Sequence, residues 1–73
     1  MVKIIKDKEP TLEQMQAFVG GYITLITLPD GSQLVCDEDG ILKDKEMNIE
    51  ASRLAGQAIV GDVMILKDQA RMT

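Results

Sequence analysis

Strand-favouring residues concentrate between positions 22 and 38. Tyr22-Ile23-Thr24-Leu25-Ile26-Thr27-Leu28 is rich in β-branched and aromatic side chains, the set that suits a pleated, half-buried surface. Pro29 presets φ for the first corner of a type I turn, Asp30 suits the second, and Gly31 supplies a left-handed residue. Leu28-Pro29-Asp30-Gly31-Ser32 therefore predicts a hairpin turn, a three-residue loop with a glycine bulge. Gln33-Leu34-Val35-Cys36-Asp37 then returns antiparallel to the first strand.

Upstream the period changes. Leu12, Met15, Phe18 and Val19 fall at helical spacing on one face. Thr11-Leu12-Glu13-Gln14 matches a capping box, in which hydroxyl and amide side chains satisfy two orphan helix donors. Gly20-Gly21 stops the helix after about two turns, since glycine takes the left-handed cap conformation freely. Before it, Val2 to Lys6 reads as a short edge strand flanked by lysines, ended by Lys8-Glu9-Pro10.

Downstream, Asp37-Glu38-Asp39-Gly40 repeats the turn chemistry and Ile41-Leu42-Lys43 suggests a third short strand of the sheet. Asn48 is a good N-cap for a second helix, with Glu50 in its first turn, Ile49, Leu54 and Ala55 as apolar contacts, and Gly56 as its stop. Ala58-Ile59-Val60 and Val63 to Leu66 read as extended, separated by a turn at Gly61-Asp62. The tail, residues 68–73, is polar and expected to fray. The fold class is α+β: a small, mainly antiparallel sheet of three to five short strands with two short helices packed on it. The order is β-α-β-β-(β)-α-β within a single domain, residues 1–73.

Length tightens this picture. A chain of 73 residues buries only ~60% of its unfolded surface, and a core of this size supplies ~3–5 kcal/mol. Tyr22 and Phe18 are the only aromatic residues. Burial against a partner would help such a core, so a homo-oligomer is expected. Eight Lys and Arg stand against 12 Asp and Glu, a net charge of −4, which lacks the basic footprint that nucleic acid selects. Lys43-Asp44-Lys45-Glu46 interleaves its charges and reads as solvated surface. The single cysteine, Cys36, fits a reducing cytoplasm. No apolar run is long enough for a signal peptide or a membrane span.

Histidine is absent altogether, which removes the usual general base near neutral pH and the commonest zinc ligand. Cys36 lies beside Leu34 and Val35, so it reads as a buried, inert thiol and not as an activated nucleophile. Asp37, Glu38, Asp39 and Asp44 miss the calcium-loop template, because counting from Asp37 puts Ile41 at position 5 and Leu42 at position 6. Gly20-Gly21 lacks the spacing of a phosphate-binding loop. Its second glycine can still permit close approach of a ligand or neighbour. Met47 and Met72 are the methionines left over from core and initiation. No catalytic residue, cofactor-binding residue or metal ligand is assigned, and no cofactor is expected. Gly20, Gly21 and Tyr22 are the candidate ligand or partner contacts.

From Leu12 to Lys67 the chain resembles a family of small phage and bacterial proteins, domain of unknown function 3846. The resemblance runs through Val19-Gly20-Gly21-Tyr22-Ile23, Leu28-Pro29-Asp30-Gly31 and Asp37-Glu38-Asp39-Gly40 with Leu42-Lys43. It continues through Asn48, Ala51 and Leu54-Ala55-Gly56 to Ile59-Val60-Gly61-Asp62-Val63. It implies a small accessory protein, often phage-encoded, and transfers no catalytic residues. The expected function is therefore a non-enzymatic protein-interaction module, a homo-oligomer with a possible host protein partner, in the cytoplasm. The alternative is a small-ligand binder (polar metabolite or nucleotide) whose pocket forms between subunits and is lined by Gly20, Gly21 and Tyr22.

Overall fold

The hairpin expected between residues 22 and 38 lies at one side of a four-stranded sheet. The computed structural model describes residues 1–72. In chain order the elements are β1 (Val2–Ile5), α1 (Leu12–Val19), β2 (Ile23–Thr27), β3 (Gln33–Asp37), α2 (Ile49–Ala55) and β4 (Val63–Leu66). A 3₁₀ turn over Asp68–Ala70 follows. The sheet order is β1-β4-β3-β2. β2 pairs antiparallel with β3, β3 antiparallel with β4, and β1 parallel with β4.

The turn closes as its residues dictate. The Gly31 amide donates to the Leu28 carbonyl at 2.9 Å, and the Leu28 amide to the Ser32 carbonyl at 2.8 Å. Gly31 sits at φ 88°, a conformation that costs a side-chain-bearing residue ~1 kcal/mol or more. The Asp30 carboxylate accepts from the Ser32 amide at 2.9 Å and from the Ser32 hydroxyl, and pairs with Lys67 at 3.0 Å. The Ser32 hydroxyl first, then the Ser32 amide and Lys67, hold the Asp30 carboxyl well below the usual carboxylate range.

Both helices start and stop at the expected residues. The Gln14 amide donates to the Thr11 hydroxyl at 3.1 Å, and the Thr11 amide donates to the Gln14 side chain at 2.9 Å. α1 ends on Gly20 at φ 87°. Asn48 caps α2 by accepting from the Ala51 amide at 3.0 Å, and Gly56 ends it.

Alternation along the strands divides the core in two. Leu34, Cys36, Val63 and Ile65 point to one face and pack with Ala51 of α2. Val35, Met64 and Leu66 point to the other and pack with Met15 and Val19 of α1. The helices therefore cover opposite faces, and β3 and β4 are the strands buried on both. That is why Val63-Met64-Ile65-Leu66 is uninterruptedly apolar.

Several expectations need correcting. Ile41-Leu42-Lys43 is no strand: the Lys43 amide donates to Asp39 and the Asp44 amide to Ile41, which coils residues 39–44 into tight turns. Gly40 sits so close to Val60 that an added Cβ would lie 2.8 Å from its side chain. Of Ala58-Ile59-Val60 only Val60 pairs, in an isolated bridge to Met47 outside the main sheet. Leu12, Ile49 and Leu54 are exposed. α2 instead meets the sheet through Ala51, with Ala55 partly buried beside it. The tail expected to fray is held at residues 68–70, where Ala70 is fully buried. The Gln33 side chain then brackets the Met72 backbone, donating at 2.8 Å and accepting at 2.6 Å. Residue 73 lies outside the described residues.

Candidate functional site

Gly20, Gly21 and Tyr22 carry the chain from the end of α1 into β2, and the structure brings two lysines to them. Asp37, the last residue of β3, is buried with its side chain 1% exposed. Its Oδ2 accepts from Lys43 Nζ at 2.9 Å and from Lys45 Nζ at 2.8 Å, and its Oδ1 accepts from the Asp39 amide at 2.9 Å. The same ammonium groups donate to α1: Lys43 to the Gly20 carbonyl at 3.0 Å, Lys45 to the Val19 carbonyl. α1 has no basic residue in its own last turn. Lysines from the 38–45 segment supply the cations that the negative end of its dipole favours.

This arrangement explains Gly21 directly. An added Cβ there would overlap Lys43 Nζ and lie 3.0 Å from each Asp37 carboxylate oxygen. The close approach allowed by the glycine is thus used by the protein's own lysine. Lys45 first, with Lys43 and the Asp39 amide, outweighs burial and holds the Asp37 carboxyl down to about 2. Such a carboxylate stays ionised and its oxygens are engaged, so it works as a clasp and not as a proton carrier. On the other face of β3, burial first and the Asp37 charge second push the Cys36 thiol up, which disfavours its thiolate form.

Beside the clasp, Gln16, Gly21, Tyr22, Asp39 and Lys43 line a shallow depression of about 350 Å³. Gly20 is not among its lining residues, and Tyr22 stands 70% exposed. A larger concavity, about 680 Å³, lies between β1 and α1. Ile5, Phe18 and Met64 line it along with Lys3, Lys8 and Glu9, and the Lys3 ammonium sits 5.7 Å from the Phe18 ring centre.

The third feature is the outer edge of β2. Pairing of Tyr22 with Glu38 and of Leu28 with Ser32 marks the even-numbered residues as those bonded to β3. The amides and carbonyls of Ile23, Leu25 and Thr27 consequently point away from the sheet. No charge and no proline interrupts residues 22–28, and Leu25 is 41% exposed. The opposite edge is different: β1 carries Lys3 and leads into Lys6-Asp7-Lys8-Glu9, charges of the kind that blunt edge pairing.

Over residues 1–73 the chain matches the family described as Domain of unknown function (DUF3846). The chain belongs to the DUF3846 family. No curated protein and no solved structure matches it. Within this DUF3846 chain several of the residues that carried the resemblance now have physical roles. Gly20 and Gly56 end helices, Gly31 makes the turn, and Asp37 with Lys43 forms the clasp that Gly21 accommodates.

The clasp is not legible in the sequence around its lysines, where the alternating charges of Lys43-Asp44-Lys45-Glu46 read as solvated surface. A usable signal was present in α1, which lacks a basic last turn and ends on two glycines. The open edge of β2 was equally readable as an uncharged run, once its place at the border of the sheet is known. Among the described residues no helix is long and apolar enough to cross a membrane.

Proposed function

We propose that this DUF3846 protein is a non-enzymatic interaction module that takes an extended strand on the outer edge of β2. The observation that carries the reading is the contrast between its two sheet edges, one guarded by lysines and the other uncharged and unpaired. Strand addition of this kind draws affinity from main-chain hydrogen bonds and specificity from alternate side chains. Ile23, Leu25 and Thr27 offer the former, and the exposed Leu25 and Tyr22 contribute to the latter. The role fits an accessory protein, phage-encoded as the resemblance implied, working in the cytoplasm of its host.

A displayed library of random peptides tests this directly. Peptides selected on the wild-type protein are expected to lose binding about tenfold or more, ~1.4 kcal/mol, on Thr27→Lys. They should be retained by Lys3→Glu on the opposite edge. Peptides that bind all three proteins equally would sink the reading.

The groove between β1 and α1 favours a second reading, a binder of small amphipathic molecules whose polar end meets Lys3, Lys8 and Glu9. Ile5, Phe18 and Met64 would take the apolar body, and Lys3, Lys8 and Glu9 the polar groups. Native mass spectrometry of protein purified from its host, showing only the bare chain mass, would remove it.

A further inference from the structure

We propose that the occupant of the β2 edge is a second copy of this chain, paired antiparallel about a two-fold axis at Leu25. The proposal rests on the edge reading above and names its partner. Ile23, Leu25 and Thr27 are evenly spaced outward-facing residues centred on Leu25. Antiparallel pairing about that centre sets Leu25 opposite Leu25 of the other copy, and Ile23 opposite its Thr27. Three hydrogen-bonded pairs result, with about six ladder bonds at two per pair. Every outward-facing backbone group of β2 then finds a partner, and the same patch serves both copies, as an isologous contact requires.

The side chains are self-complementary in the same register. On the α1 face, Leu25 meets Leu25, flanked by Ile23 against Thr27. On the α2 face, Thr24 meets Ile26. These β-branched and apolar cross-strand pairs are of the stabilising kind, with no like charges opposed. No charged residue stands within the paired register, Ile23 to Thr27. The depression at Gly21, Tyr22 and Asp39 comes to lie beside the other copy's hairpin turn. A five-residue edge buries less than a standard interface, so association is weak and concentration-dependent.

Sedimentation equilibrium together with cysteine cross-linking tests the proposal. The wild-type chain is expected to reach twice its 8.0 kDa mass as concentration rises. Leu25→Lys opposes two ammonium groups on the axis and should weaken the dimer at least about tenfold. Thr27→Lys, at an exposed position, serves as a second disrupting variant, with circular dichroism confirming that each variant folds. In a Cys36→Ala background, Leu25→Cys should cross-link to itself on mild oxidation, because only a residue on the axis meets its own copy. Ile23→Cys should not. A chain that stays monomeric at every concentration overturns the proposal, as does a dimer in which Leu25→Cys fails to cross-link. If the chain is monomeric but edge-dependent peptide binding persists, only the second copy is refuted. If peptide binding ignores Thr27→Lys, the edge reading fails with it.

Discussion

Replacing Leu34 by alanine is expected to leave most of the chain unfolded in water at room temperature. Leu34 is 0% exposed and sits on β3, next to Ile26 of β2 and Ile65 of β4 in the ladders. It belongs to the cluster that joins the sheet to α2 through Ala51. Deleting a buried leucine side chain costs about 2–5 kcal/mol, the transfer loss plus the cavity left behind. A domain of this size has only ~3–5 kcal/mol to lose. Neighbours offer little relief, since Val63 and Ile65 are held by the strand register and cannot slide inward. Urea titration followed by circular dichroism should show the transition near zero denaturant. A cooperative transition within about 1 kcal/mol of wild type would mean that the site collapses without cost.

The clasp gives the second large effect. Asp37→Ala leaves Lys43 and Lys45 facing each other beside the end of α1. Losing one partner of a fully buried pair costs about 3–5 kcal/mol. Here both lysines keep some exposed surface and can turn to water, so about 2–3 kcal/mol is expected. The acid limb of stability follows from the same carboxyl, which is lowered from 3.8 to about 2. A depressed carboxylate stabilises the fold fully above its unfolded value. That stability is lost as pH falls from about 4 through about 2. Discounted for the water that reaches Lys43, the contribution is about 1–2 kcal/mol. Asp37→Asn imitates the protonated state, so its stability deficit against wild type should be constant near neutrality and shrink below about pH 4. Asp30 is lowered too, and taking the difference removes its share. A deficit that does not change with pH would show that Asp37 acts by shape alone.

These two residues also show what the sequence could and could not tell. The hairpin was legible because Pro29, Asp30 and Gly31 set the turn through their own backbone preferences. The capping box at Thr11 and Gln14 and the Asn48 cap were legible for the same reason, as interactions spanning three residues. Pairing of β1 with β4 joins Val2 to Val63 in register. No local preference encodes a contact at that separation. Lys43 and Lys45 lie more than 20 residues from the α1 carbonyls they bind, and their alternating neighbours disguised them as surface. Ile49 and Leu54 misled in the opposite direction, since a short helix seated on Ala51 leaves its larger residues outside. Gly21 reads from sequence as part of a helix stop that can also permit close approach of a ligand or neighbour. Its neighbour turned out to be the protein's own Lys43.

Amide hydrogen exchange across the two sheet edges tests the central claim most directly. The amides of Ile23, Leu25 and Thr27 face outward and should exchange fast in dilute protein. They should become protected together as concentration rises, or when an edge-binding peptide is added. Val2 and Ile4, on the outer side of β1, should not change under either condition. Exchange at Ile23, Leu25 and Thr27 that ignores both protein concentration and peptide would contradict the account.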